Sequence, residues 1–262
     1  MNTLIYLTAL AVSASVGSFL TVLAHRLPRM LLKADSGMTS SFNLIVPRSH
    51  CPHCAQSLRI RHMIPIVSYI VLKGRCAYCF NKIQVRYLLI ELGTLICSLI
   101  IIRCFGFTPS LLAGLVFTWG AIAIAVIDWE HYLIPDIIVL PLLWLGLFLS
   151  VFSVFIEPED AIAGAMCGYL SLWLCAWIYY FITKRTGMGH GDFKCFAMLG
   201  SWLGVARLPY LLLFAALMAI GSAMFFFLRR KIEYYTAIPF GPFLVCSGWL
   251  IFLWQIGFHH VR

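Results

Sequence analysis

The sequence predicts an all-α polytopic membrane protein: about eight transmembrane helices, with a cytoplasmic zinc-ribbon-like loop between the first two. Three observations predict it. Of 262 residues, 62% are hydrophobic and 11% charged, against ~45–50% and ~25% in soluble domains, and the mean hydropathy is +0.93. Apolar segments near the ~20 residues needed to cross a bilayer recur along the chain. The charge is confined, since ten of the nineteen Lys and Arg lie between His25 and Arg86, a stretch with one acid, Asp35. This composition excludes a soluble enzyme, a disordered chain and a disulfide-framed secreted module. A net charge of +9 suits nucleic acid in a soluble protein. Beside membrane spans the same cations mark a cytoplasmic loop, and no nucleic-acid partner is expected.

The first span covers 1–24, with its apolar run at 3–24. Met1-Asn2-Thr3 carries no positive side chain, and the charges follow the span at Arg26 and Arg29, the pattern of a retained helix with its N-terminus outside rather than a cleaved signal. Residues 25–86 form the basic loop, and 87–262 a seven-helix membrane domain. Its spans are expected at 87–103, 110–127, 133–156, 160–183, 193–206, 208–228 and 240–258, the 193–206 segment being the shortest. They are separated by Arg103–Pro109, Asp128–Tyr132, Glu157–Asp160, Lys184–Lys194, Arg207 and Arg229–Glu233. With the first loop inside, sixteen Lys and Arg face the cytoplasm, while Arg103, Arg207 and Arg262 lie outside, which agrees with the positive-inside rule.

Four of the ten cysteines form a pattern, Cys51-Pro-His-Cys54 and Cys76-Ala-Tyr-Cys79, with twenty-one residues between them. Paired CxxC knuckles place four thiolates around a tetrahedral Zn²⁺, and the metal supplies folding free energy to a loop with little apolar bulk. Four sulfurs leave no open coordination position, so the site is structural. His50 and His53 flank the first knuckle as substitute ligands. A redox dithiol is the rival reading. Cys97, Cys104, Cys167, Cys175, Cys195 and Cys246 read as small apolar packing residues.

Acids number only ten, so each position is informative. Asp128, Glu130 and Asp136 fall in Asp128-Trp-Glu-His-Tyr-Leu-Ile-Pro-Asp136, and Asp192 in Gly187-Met-Gly-His-Gly-Asp192-Phe-Lys194. Both segments lie at the inner face in this topology, where ionisable groups are costly and read as functional. Asp128 and Asp192 facing each other would share a proton, leaving one general base and one general acid. Against this stand a helix end at Asp128 and an ion pair of Asp192 with Lys194. Glu130 reads as a solvated interfacial charge near His131, and Asp136 as a helix cap after Pro135. Asp160 reads as the cap of the fifth span. His131 and His190 joining the aspartates around a metal is a further alternative. HExxH and GxSxG are absent from the sequence, which weakens metalloprotease and serine-protease readings.

Taken together, these segments resemble the type IV prepilin peptidases, the bifunctional leader peptidase and N-methyltransferase family of Gram-negative bacteria. The resemblance runs nearly end to end, through Gly17-Ser-Phe-Leu-Thr-Val-Leu-Ala-His-Arg-Leu-Pro28, Pro47-Arg-Ser-His-Cys-Pro-His-Cys54, Ile64-Pro-Ile-Val-Ser-Tyr69, Gly74-Arg-Cys-Ala-Tyr-Cys79, Arg86-Tyr-Leu-Leu-Ile-Glu91, the two aspartate segments and Ile238-Pro-Phe-Gly-Pro-Phe243. It implies an aspartic endopeptidase of the GxGD type with Asp128 and Asp192 as catalytic pair. Cys51, Cys54, Cys76 and Cys79 would be the zinc-type ligands, and S-adenosylmethionine the methyl donor. The implied substrates are type IV prepilins or type II secretion pseudopilins, cut after a glycine at the cytoplasmic face of the bacterial inner membrane. Thr21, Leu88 and Cys195 depart from the residues usual in the family. Glu91 is a candidate methyltransferase residue or an ion-pair partner of Arg86. The rival functions are a membrane thiol–disulfide oxidoreductase, a proton-coupled transporter, and a peptidase without methyl transfer.

Overall fold

The computed structural model describes residues 2–35, 43–44, 46, 49–229 and 238–259. Pro47 and Arg48 of the first cysteine motif, the 230–233 part of the last basic linker, and Arg262 lie outside the described residues. The chain divides into two compact units, Met1–Phe107 and Thr108–Arg262. Among the described residues the regular structure is helical, with two isolated β-bridges, His50 to Ser57 and Arg75 to Lys82.

In the first unit, α1 (Asn2–Asp35) packs along α3 (Val85–Phe105), with the short α2 (Val67–Val71) in the intervening loop. Helix α1 runs well past the apolar segment that ends at residue 24, and takes in Arg26, Pro28 and Arg29. Arg26 is buried and its Nη1 donates to the Asn43 carbonyl at 3.0 Å. A charged residue therefore continues the helix because its guanidinium finds carbonyl oxygens.

The second unit contains α4 (Pro109–His131), α5 (Asp136–Val151), α6 (Pro158–Thr183), α7 (His190–Leu203), α8 (Leu208–Leu228) and α9 (Gly241–His259). Pro109 and Pro158 open their helices at positions whose N–H has no helical partner. Tyr132 and Lys184 close α4 and α6 in the left-handed conformation, at φ 55° and 57°. Polar groups tie the helices together inside the bundle. The Trp202 indole donates to the Leu142 carbonyl at 2.9 Å, the Trp249 indole to Thr118 Oγ1 at 3.0 Å, and Gln255 to the Phe155 carbonyl at 2.8 Å. Phe117, Phe155, Trp202 and Phe252 form one aromatic cluster around them.

Five helices are long and apolar enough to cross a membrane: Thr8–Leu32, Val85–Phe105, Pro109–His131, Pro158–Thr183 and Val205–Leu228. This is a multi-pass membrane protein, but eight full-length spans are not found among the described residues. Helix α5 has 16 residues and α7 has 14, about 24 and 21 Å of rise against a hydrocarbon core of ~30 Å. Every residue of α7 from Cys195 to Leu203 is buried, between α5, α6 and α9. Its apolarity comes from being enclosed by protein, a state that hydropathy does not distinguish from being enclosed by lipid.

The α6–α7 contact is made by backbone. A Cβ on Gly164 would collide with the Gly200 carbonyl, and a Cβ on Gly200 with that of Gly164. Gly164→Ala or Gly200→Ala is therefore expected to cost about 1–3 kcal/mol of stability, read as a lowered unfolding midpoint in detergent. Gly221→Ala, where nothing lies within 4 Å, should hold or raise that midpoint.

Candidate functional site

Asp128 opens the last turn of α4, where its carbonyl accepts the Tyr132 N–H at 2.9 Å. The residue is 5% exposed, and its Oδ2 accepts the Gly241 N–H at 3.0 Å. Gly241 begins α9, so the helix end presents a donor to the carboxylate, a placement that favours an anion. The close approach requires glycine: a Cβ at 241 would lie 2.6 Å from Asp128 Oδ2 and 2.9 Å from Ile134 Cδ1.

Asp192 stands in the first turn of α7, with its N–H bonded to the Gly189 carbonyl at 3.2 Å. Ile134 packs against both Gly191 and Gly241, and so lies between the segments that carry the two aspartates. Asp128 and Asp192 are close enough to repel each other electrostatically. Two such carboxylates have the makeup of an acid–base pair, since mutual repulsion favours one proton between them.

Asp136 and Asp160 differ from the expected helix caps. Asp136 makes no capping hydrogen bond at α5; it accepts Lys194 Nζ at 2.6 Å. Lys194 thus reaches across to α5 rather than back to Asp192, because a lysine two residues along a helix points to a different face. Asp160 lies in the first turn of α6, whose cap residue is Glu157 and has no side-chain capping bond; its charge interacts with Arg207. Glu130 sits 3.9 Å from His131, and His190 lies edge-on to Phe193. The Ile238-Pro-Phe-Gly-Pro-Phe243 motif has no role legible from its residue types alone. Gly241 supplies that role as the donor to Asp128, and only the unusual glycine between two prolines signals it.

Among the described residues one group is able to hold a metal: Cys51, Cys54, Cys76 and Cys79, with all four sulfurs within 4.8 Å of one another. His50 and His53 are not part of it. The two knuckles repeat the same backbone. Cys51 N–H bonds to the Gln56 carbonyl and Ala55 N–H to Cys51; Cys76 N–H bonds to Asn81 and Phe80 N–H to Cys76. Ala55 and Phe80, each following the second cysteine, both adopt positive φ, at 55° and 58°. Cys51 Sγ and Cys79 Sγ are 3.7 Å apart, close to the ~3.8 Å edge of a tetrahedron with ~2.3 Å Zn–S bonds. Burial raises the Cys51 thiol, but N–H groups of Cys54 and His53 with the neighbouring thiols bring it down to about 6. At Cys79 the Asn81 N–H favours the thiolate, yet loss of water and the other three sulfurs push it up to about 11. One thiolate forms readily and resists the next, an imbalance that a divalent cation removes.

Glu91, on α3, accepts the Ile66 N–H through Oε2 at 2.8 Å and a hydrogen bond from Ser18.

The profile of the Bacterial Peptidase A24 N-terminal domain matches residues 11–105, and that of the Type IV leader peptidase family matches residues 115–224. The chain is similar to the prepilin leader peptidase/N-methyltransferase of Pseudomonas aeruginosa, 42% identical over 251 residues, 91% of this chain and 87% of the relative. It is also similar to proteins of the same name from Stutzerimonas stutzeri, 40% identical (95% of this chain, 90% of the relative), and from Dichelobacter nodosus, 43% identical (94% and 91%). No solved structure matches it significantly.

The Asp136–Lys194 pair is partly exposed, with side-chain exposures of 51% and 33%. Asp136→Asn and Lys194→Met should each change stability by less than about 1 kcal/mol, measured as the unfolding midpoint in detergent.

Proposed function

Because this chain belongs to the type IV leader peptidase family, we propose that Asp128 and Asp192 are the carboxylates with which it cuts the leader from type IV prepilins. The enzyme is a membrane endopeptidase that removes prepilin leaders, and it belongs with relatives that also N-methylate the product. The observation that carries the site assignment is the Asp128 carboxylate, buried and held by the Gly241 N–H, with Asp192 near enough to repel it.

The prepilin's apolar helix enters from the bilayer and brings its leader junction to the aspartates. The ionised carboxylate takes a proton from water, which attacks the scissile carbonyl carbon. The protonated carboxylate gives its proton to the carbonyl oxygen, forming a gem-diol. On collapse the carboxyl that took the water proton gives it to the departing amine, the C–N bond breaks, and the other carboxylate recovers a proton from the gem-diol hydroxyl. No acyl-enzyme forms. Type II secretion pseudopilins fit the same chemistry. The excess of Lys and Arg in the first loop supports a cytoplasmic location for that loop and a periplasmic N-terminus, and the family supports a bacterial inner membrane setting. The relatives' names speak against a thiol oxidoreductase or a transporter.

Zn²⁺ fits the four cysteines: Cys51, Cys54, Cys76 and Cys79 would hold it as thiolates, and it would fasten the two knuckles to each other. S-adenosylmethionine is the methyl donor that the relatives' N-methyltransferase name implies. The groove along α1 at Ala11, Val12, Ser15, Val16 and Phe19 is apolar, and its one hydroxyl donates to the Ala11 carbonyl. Methyl transfer is supported by the family alone.

Co-expression with a prepilin tests the pair. Asp128→Asn and Asp192→Asn should each insert normally and slow cleavage by about 10²–10⁴-fold, seen as retained leader on a gel or by mass spectrometry. Parent-rate cleavage by either variant removes that aspartate from the chemistry. Elemental analysis of the purified full chain should find one zinc per molecule, lost in Cys51→Ser and in Cys76→Ser.

A further inference from the structure

Helix α3 starts at Val85 and has 21 residues, a rise of about 31 Å, which matches a hydrocarbon core of ~30 Å. Glu91 is six residues in, about 9 Å along the axis. Its carboxylate receives the Ile66 N–H, and Ile66 has φ 62°. A β-branched residue in the left-handed region is strained and persists only where its surroundings hold it. Here the Val67 N–H closes a turn onto the Pro65 carbonyl at 2.5 Å, the Ile66 N–H is tied to Glu91, and α2 begins at the next residue. The carboxylate thus fixes the start of α2 at a level beside the second turn of a membrane span.

What α2 shows at that level is apolar. None of its residues is buried, and Val67, Ile70 and Val71 are 53%, 66% and 72% exposed. Met63 and Ile64, just before it, are exposed as well. A five-residue helix without a covered face gains little stability in water. The flanks are basic, with Arg59 and Arg61 before it and Lys73 and Arg75 after it, and no acid occurs between Asp35 and Glu91. Apolar side chains ringed by cations, at a depth of ~5–10 Å, are what an interfacial element presents to a lipid surface.

We infer that α2 is a monotopic membrane contact: Val67, Ile70 and Val71 enter one leaflet at the boundary of headgroups and acyl chains, and the flanking Arg and Lys engage anionic headgroups. Glu91 is the positioning residue for this contact, through Ile66. The inference rests on the membrane-spanning reading of α3 and is independent of the peptidase chemistry.

The test uses the full-length protein in nanodiscs of phosphatidylcholine and phosphatidylglycerol, with photo-reactive benzoylphenylalanine in place of Ile70 or Val71. Mass spectrometry should find acyl-chain adducts at both positions, at a yield near that of Leu217 on α8 and about tenfold above that of Gln56 on the first knuckle. Replacing phosphatidylglycerol with phosphatidylcholine, or introducing Glu91→Leu, should lower the yield at 70 and 71 severalfold and leave Leu217 unchanged. Yields at the level of Gln56 overturn the proposal. So does capture of a co-reconstituted prepilin in place of lipid, which makes α2 a substrate surface. An unchanged yield in Glu91→Leu overturns the anchoring role.

Discussion

Gly164 and Gly200 leave no room for a side chain between α6 and α7, so these two helices meet backbone to backbone. In a bilayer, close packing replaces the hydrophobic effect as the force that draws helices together. Small residues at a crossing therefore determine which pairs form. Helix α7 is too short to span the membrane and is buried along its length from Cys195 to Leu203. It keeps its place because α5, α6 and α9 enclose it. Asp192 stands on its first turn, so the position of that carboxylate follows from a glycine contact that involves no catalytic group.

Both units place a carboxylate in an apolar helix, and both satisfy it in the same way. Asp128 receives the N–H of Gly241 at the start of α9, and Glu91 receives the N–H of Ile66 at the start of α2. A helix start has N–H groups without helical partners, and an acid in a low-dielectric setting needs donors. Each interaction meets both needs together, and each draws in a segment distant in sequence. The consequences differ. At Asp128 the neighbouring residue is a glycine, which leaves the carboxylate close to the backbone and in reach of Asp192. At Glu91 the neighbour is an isoleucine in a strained conformation, which aims an apolar helix outward.

The cysteine loop follows a third logic, repetition. Its two knuckles share hydrogen bonds and positive φ at matching residues, Ala55 and Phe80. Neither residue is a glycine, so the turns carry conformational cost, and among the described residues 49–84 only Cys51, Gly74 and Cys76 are buried to offset it. Four converging sulfurs form a group able to hold a metal ion, and a bound cation would add to the stability of such a loop.

Much of this was legible in the sequence. Composition required a membrane protein, paired CxxC spacing required converging thiols, and scarcity of acids singled out Asp128 and Asp192, because each of these signals is local or a simple sum over the chain. Helix ends, pairings and depth were not. The extension of α1 through Arg26 depends on carbonyls at 43 and 44, the Lys194 partner is Asp136 and not its near neighbour Asp192, and the segment expected to span the membrane at 193–206 is a core helix. The sequence by itself singled out the scarce acids and the cysteines that converge. Only the tertiary structure decided which distant N–H each acid meets and which apolar helix is enclosed by protein, because burial by protein and burial by lipid leave the same mark on a chain.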